Sequence, residues 1–89
     1  MMVVVRLFAN LREAAGKESL FLEFLEPPSV AALLEKLLAE QASLRKILIR
    51  DGKLDDRYKV LVGSEIVFPE DYEVKAGTRF AILPPVSGG

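Results

Sequence analysis

Few side chains in this sequence could do chemistry. It contains no cysteine and no histidine, which excludes thiolate metal sites, a cysteine nucleophile and the commonest general base. Two pairs of adjacent carboxylates, Asp55-Asp56 and Glu70-Asp71, are of the type that binds hard cations or acts as an acid–base pair. Neither pair lies in an Asp-x-Asp-x-Asp-Gly loop. Both are therefore interpreted as solvated carboxylates in turns, and no metal site is predicted.

The serines and glycines of the chain's interior form no reactive motif either. Because no base is available to activate them, the serines are not candidate nucleophiles. Ser29 and Ser43 are interpreted as helix caps, since serine oxygens accept hydrogen bonds from the first turn of a helix. Gly52, Gly63 and Gly77 stand alone in the sequence, so they cannot build a glycine-rich phosphate loop.

The remaining candidate for chemistry is the C-terminal segment, Leu83-Pro84-Pro85-Val86-Ser87-Gly88-Gly89. Proline fixes φ near −65°, so the two prolines predict a stiff, extended exit from the preceding strand. The two glycines have no Cβ and can enter a slot too narrow for other residues. A terminal carboxylate has a pKa of about 3.5 and is ionised at neutral pH. The carboxylate of Gly89 is therefore the predicted reactive group, an unobstructed main-chain nucleophile.

Hydrophobic periodicity predicts the elements that position this segment. Apolar alternation indicates strands, here Met2–Phe8, Glu18–Leu25, Tyr58–Val62, Glu65–Phe68 and Thr78–Leu83. A short helical turn at Leu11–Ala15 stops at Gly16, and a second short helix covers Ser43–Ile49 and ends at Asp51-Gly52. The main helix begins directly after its cap, Ser29, and carries one apolar stripe, formed by Val30, Leu33, Leu34, Leu37 and Leu38. This order predicts an α+β fold, one mixed sheet with helices packed on a single face.

Charge and hydropathy restrict the partners. Twelve basic and thirteen acidic residues give a net charge of −1, and the basic residues are scattered rather than clustered. No nucleic-acid partner is predicted. The longest apolar runs, Met1–Val5 and Val30–Leu34, are far shorter than the ~20 residues of a membrane-spanning helix. We therefore expect no membrane association and a cytoplasmic location.

The two ends of the chain resemble a known family. The C-terminal segment is similar to the Phe/Leu-Pro-Pro-Val-x-Gly-Gly ending of the MoaD family, the small subunit of molybdopterin synthase. The stretch Val5–Gly16 resembles the first strand and turn of that family, and Tyr58–Phe80 matches it in spacing. The resemblance covers essentially the whole chain.

This resemblance implies a ubiquitin-like β-grasp domain over residues 1–83 and a flexible tail over residues 84–89. It also implies a sulfur carrier that is not catalytic alone. An E1-like (MoeB-like) enzyme would use ATP to adenylate Gly89, and a sulfur donor would convert the adenylate into a thiocarboxylate. A large synthase subunit (MoaE-like) would receive the tail, threaded through Pro84, Pro85, Val86, Ser87 and Gly88, and use the sulfur to build the dithiolene of molybdopterin. No cofactor is expected on the chain itself.

Docking to such partners requires a surface as well as a tail. Strand alternation places Phe8, Leu61 and Leu83 on the sheet face away from the core, and the resemblance places Phe8, Ile66 and Leu83 in an apolar patch that engages both partners. We therefore predict a partner-binding patch of Phe8, Leu61, Ile66 and Leu83.

Three alternatives remain open from the sequence. The sulfur could go to another pathway, namely thiamine thiazole, thiolated tRNA or cysteine. The chain could instead be a ubiquitin-like modifier conjugated to lysines through Gly89. It could also be a plain β-grasp binding module with an irrelevant tail.

Overall fold

The computed structural model describes residues 1–63, 65–67 and 79–85. In this part of the chain, five strands form one mixed sheet, namely β1 Met2–Leu7, β2 Ser19–Glu23, β5 Lys59–Val62, β6 Glu65–Val67 and β7 Arg79–Leu83. Their order across the sheet is β2-β1-β7-β5-β6. The predicted strands are all present, each confirmed to within about two residues over its described part.

The centre of the sheet joins the two ends of the sequence. β1 pairs antiparallel with β2 and parallel with β7. β7 also pairs antiparallel with β5, which pairs antiparallel with β6. Because β7 is hydrogen-bonded on both sides, this strand is held firmly before Pro84.

The main helix, α2, covers Val30–Glu40 and begins where the sequence predicts. The Ser29 side-chain oxygen accepts a hydrogen bond from the Ala32 backbone N–H at 3.1 Å, which satisfies one of the free donors of the first turn. The predicted apolar stripe is buried in full. It packs against the inner face of the sheet, where Val3, Val5 and Leu7 of β1 are also buried.

Two short helices flank α2. α1 covers Ala9–Ala15 and ends at Gly16, whose φ of 74° is the left-handed conformation that favours glycine. α3 covers Ala42–Leu48. The prediction that Ser43 caps this helix is wrong: Gln41 is the N-cap residue, and the Ser43 hydroxyl donates instead to the Ala14 carbonyl at 3.0 Å. The serine therefore ties α3 to α1.

A small hairpin follows α3, where the sequence predicts only the end of the helix. β3, Ile49–Arg50, pairs antiparallel with β4, Lys53–Leu54. Asp51 and Gly52 both have positive φ, 55° and 78°, which is the geometry of a tight two-residue hairpin turn. The hairpin brings the chain back beside α3 before β5 begins.

One core stabilises these elements. Buried apolar side chains from α1, α2, α3 and one face of the sheet form a single cluster. The largest of them that are almost completely inaccessible to solvent include Phe80, Leu7, Leu11, Leu33, Leu37, Leu44 and Leu48. All helical contributions lie on the same side of the sheet, so the opposite surface, here called the outer face, is left for other contacts.

Candidate docking face and tail exit

The outer face carries the predicted partner-binding patch. Leu61 of β5 lies directly opposite Ile66 of β6 and, on its other side, opposite Ala81 of β7. Residues paired in this way present their side chains to the same face of a sheet. Ile66 is 58% exposed and Leu61 is partly exposed. The two predicted residues therefore form a contiguous apolar surface with Ala81.

Phe8 and Leu83 extend this surface to the end of the sheet where the tail departs. In the parallel ladder of β1 and β7, Leu7 lies opposite Ile82, so the next residues along each strand, Phe8 and Leu83, are neighbours. Both are partly exposed. Phe8, Leu61, Ile66, Leu83 and Ala81 are hereafter called the tail-proximal patch, and the structure brings together all four residues that the sequence predicts for it.

Basic side chains border the tail-proximal patch. The Arg6 guanidinium carbon lies 5.6 Å from the centroid of the Phe8 ring, a cation–π distance. Lys59, which lies opposite Leu83 in the ladder, donates through Nζ to the Asp56 carbonyl at 2.9 Å. Arg79 is exposed on the same face. These positions follow from strand alternation and could have been named from the sequence, but only the register shows that they surround one patch.

The tail leaves the sheet at this patch. Pro84 is partly exposed and Pro85 is exposed, so the chain emerges on the surface rather than in the core. The other tail residues predicted to act, Val86, Ser87, Gly88 and Gly89, lie outside the described residues. The segment that carries Gly89 therefore continues from β7, and the last residue of that strand, Leu83, is part of the patch.

Of the four paired carboxylates that the sequence predicts to be solvated, Asp56 is exposed as expected, whereas Asp55 is not. Asp55 is buried, 5% exposed. Its carboxylate accepts from the Arg57 guanidinium, with Nη2 to Oδ2 at 2.7 Å, and from the Arg57 backbone N–H at 3.0 Å. These hydrogen bonds lower the pKa of Asp55 to about 2. Glu70-Asp71 lies outside the described residues.

Asp55 is thus a structural anchor and is fully engaged by Arg57. In residues 1–63, 65–67 and 79–85, no group of three or more His, Cys, Asp or Glu side chains is placed to hold a metal ion. Nor does this part of the chain contain a helix long and apolar enough to cross a membrane.

Comparison with known proteins agrees with this architecture. The chain is 32% identical over 88 residues to small archaeal modifier protein 3 of Haloferax volcanii, an alignment that covers 96% of each protein. Small archaeal modifier protein 1 of the same organism is 32% identical over 85 residues, which cover 94% of this chain and 97% of the relative.

Solved structures show the same fold. The crystal structure of SAMP1 from Haloferax volcanii superposes with a TM-score of 0.91 at 30% identity, covering 100% of both chains. A chain of the Amycolatopsis orientalis BexX/CysO complex gives 0.79 at 27% identity, covering 98% of this chain and 99% of that one. A Pyrococcus furiosus protein described as molybdopterin converting factor, subunit 1, gives 0.79 at 26%, covering 97% and 99%.

The mixed sheet with its helices on one face is therefore the ubiquitin-like β-grasp fold, as the resemblance implies, and the protein is of the sulfur carrier and modifier class. A family model described as the ThiS family matches residues 5–89. The chain belongs to this family.

Proposed function

We propose that this protein is a carrier whose Gly89 carboxylate is activated by a partner enzyme and then bears sulfur as a thiocarboxylate. The observation that carries the proposal is the position of β7. This strand is paired on both sides and ends at Leu83, within the tail-proximal patch. An enzyme that docks on the patch therefore has the start of the tail at its own surface.

The chemistry requires only the main chain of this protein. The Gly89 carboxylate attacks the α-phosphate of ATP in the partner's site, which forms an acyl adenylate and releases pyrophosphate. Hydrosulfide then attacks the acyl carbon and AMP leaves, and loss of the proton from sulfur gives the thiocarboxylate. Because no side chain adjoins the reacting carbon at a glycine, the partner can approach it from either face.

The tail-proximal patch supports the docking step. It is apolar at its centre and bordered by Arg6, Lys59 and Arg79, the arrangement of a small interface with an apolar core and a polar rim. A partner that fits it presents apolar side chains surrounded by carboxylates. Because the adenylating enzyme and the sulfur recipient would both use this patch, they must bind one after the other.

For the recipient, we propose the large subunit of molybdopterin synthase, which uses the sulfur for the dithiolene of molybdopterin. The Leu83-Pro84-Pro85-Val86-Ser87-Gly88-Gly89 ending supports this choice, as does the likeness to the Pyrococcus furiosus protein. A second candidate is conjugation of Gly89 to lysines of other proteins. It is favoured by the two relatives that are named as modifier proteins.

Intact-mass measurement of the protein purified from its native cells tests the carrier proposal. We expect a species heavier by the difference between sulfur and oxygen, located in the C-terminal peptide. Gly89 joined to lysine side chains of other proteins, without any sulfur-bearing form, would favour the modifier. A chain that lacks Gly89 should fold normally, accept no AMP and restore no molybdopterin synthesis. Full activity of this truncated chain would refute the proposal.

A charge placed in the tail-proximal patch should separate docking from folding. We expect Ile66→Glu to weaken binding to the adenylating enzyme at least tenfold, because it sets a carboxylate in the apolar surface of the patch, opposite Leu61. Leu25→Glu is the matched control, since Leu25 is fully exposed and lies outside the patch. Titration calorimetry measures both. Equal affinities for the two variants would show that the patch is not the docking surface.

A further inference from the structure

We propose that the free edge of β2 is a self-association surface, through which two copies of this chain pair antiparallel about Phe21 into one continuous sheet. This inference does not depend on the proposed function. It concerns the side of the sheet opposite to β6 and leaves the tail-proximal patch available in each copy.

The first observation is the backbone of the edge, whose outward groups have no hydrogen-bond partner among the described residues except the Glu23 carbonyl, which accepts from Lys36 Nζ. β2 is the terminal strand of the sheet in the part of the chain that the structure describes. Its even-numbered residues face β1, as shown by Leu7 N–H donating to the Glu18 carbonyl at 2.8 Å and Phe24 N–H donating to the Met1 carbonyl at 2.9 Å. Backbone groups alternate in direction along a strand. Those of Ser19, Phe21 and Glu23 therefore point away from the sheet.

The second observation is an apolar cluster at this edge. Phe21 is 64% exposed and lies opposite Val4 in the ladder, while Met2, 51% exposed, lies opposite Glu23. An exposed edge strand with a large apolar side chain is a template for pairing with another strand. Arg6 and Arg79, on the outer face, separate this cluster from the tail-proximal patch.

A two-fold axis through Phe21 makes the edge self-complementary. Phe21 then lies opposite Phe21 of the second copy, and Ser19 lies opposite Glu23 in both halves. All three positions present outward backbone groups, so each pair can exchange hydrogen bonds. The Glu23 carbonyl does so through its second lone pair, because the first already accepts from Lys36 Nζ. The two aromatic rings meet across the axis, where a cross-strand aromatic pair stabilises a sheet. Each ring loses part of its exposure to water.

The same axis places opposite charges at matching heights. In one copy, Lys36 donates to the Glu23 carbonyl, and Glu40 borders a groove of about 290 Å³ together with Ser19 and Phe21. Because Glu23 of one copy lies level with Ser19 of the other, Lys36 of one copy lies level with Glu40 of the other. On the outer face, Arg6, which pairs with Ser19, is two strands away from Glu23 of the second copy. A second copy in this position therefore brings opposite charges near each other on both faces of the sheet, Lys36 and Glu40 on the helix side and Arg6 and Glu23 on the outer face.

These features select a second copy as the occupant, rather than an unrelated strand. An arbitrary peptide would match the backbone, but only the chain itself repeats the aromatic side chain and both charge pairs across the axis. A single edge of this length buries less surface than a standard interface. Association is therefore expected at high protein concentration.

Sedimentation equilibrium of the full chain up to millimolar concentration tests the proposal. We expect the average mass to rise toward that of a dimer, and Phe21→Lys to keep the protein monomeric with an unchanged circular dichroism spectrum. Ile66→Lys, the same change at the opposite edge, should leave association intact. A monomeric wild-type chain over the whole range, or association that Phe21→Lys does not reduce, would overturn the proposal.

The absence of cysteine from the sequence permits a test of register. Residues opposite each other in such a hydrogen-bonded pair have Cα atoms about 5.5 Å apart, within the range that a disulfide spans. Under a mild oxidant, Phe21→Cys should form a covalent dimer. Ser19→Cys should not, because the two copies of that residue would be about 14 Å apart along the strands. Crosslinking of Ser19→Cys but not of Phe21→Cys would reject the axis.

Discussion

At the residue scale, Asp55 shows how a small fold uses a buried charge. The carboxylate is held by Arg57, whose own side chain is 58% exposed. The Asp55 backbone also participates, with its N–H donating to the Leu48 carbonyl at 2.7 Å and its carbonyl accepting from the Tyr58 N–H at 3.0 Å. One residue therefore links the end of α3 to the start of β5, and its charge is compensated where it is buried.

This pairing predicts a pH dependence of stability. The pKa of Asp55 falls from an ordinary 3.8 to about 2 in the folded protein, so the folded state favours the ionised form. Its contribution to stability is complete above pH ~4 and disappears as the pH falls through about 2. We expect Asp55→Asn to lower the urea midpoint at neutral pH and to reduce the loss of stability between these limits.

The matched control for this prediction is Asp56→Asn, since Asp56 is the exposed neighbour. Urea titrations at a series of pH values compare both variants with the wild type. If Asp55→Asn followed the wild-type curve throughout, the ion pair with Arg57 would contribute nothing to folding.

At the element scale, the sequence predicts long periodic segments well and short ones badly. The stripe of α2 identifies both the helix and its buried face, and alternation in β1 predicts that Phe8 points away from the core. The hairpin of β3 and β4 has two residues in each strand, too few for alternation to show. Ser43 looks like a cap in the sequence, but the cap position belongs to Gln41 because the helix begins one residue earlier than expected.

The tail-proximal patch could be predicted from the sequence only in part. Alternation predicts which side chains of each strand face outward, so Leu61 and Leu83 can be assigned to one face. Their adjacency depends on the pairing of β1 with β7, strands from opposite ends of the chain. Such contacts are set by the packing of the whole domain, and no local pattern in the sequence encodes them.

The cap of α2 gives a prediction at this scale. We expect Ser29→Ala to lower the free energy of unfolding by about 1 kcal/mol, because the Ala32 N–H loses its partner. Ser29→Asp should retain most of the stability, since aspartate also accepts this hydrogen bond. Chemical denaturation measures both variants. A loss of the same size in Ser29→Asp would indicate that the hydroxyl acts through some contact other than the cap.

At the scale of the whole molecule, one core supports the helices and strands that the structure describes. A domain of this length has a total stability of roughly 4–13 kcal/mol. We expect Leu37→Ala, at a position with 0% exposure, to remove about 2–5 kcal/mol, which is much of that total. Leu25→Ala, on a fully exposed leucine, should change stability by no more than about 0.5 kcal/mol. Urea unfolding followed by circular dichroism measures both, and a small effect of Leu37→Ala would mean that the helix is held by something other than this core.

The place of β7 between β1 and β5 also has a mechanical consequence. A molecular motor that grips the C-terminal end and pulls would draw β7 along its own axis, loading both neighbouring ladders in shear at once. Hydrogen bonds loaded together in this way resist more force than bonds that open one after another. Under the proposed carrier function, in which partner enzymes bind the tail, this loading protects the fold against unfolding when the tail is pulled.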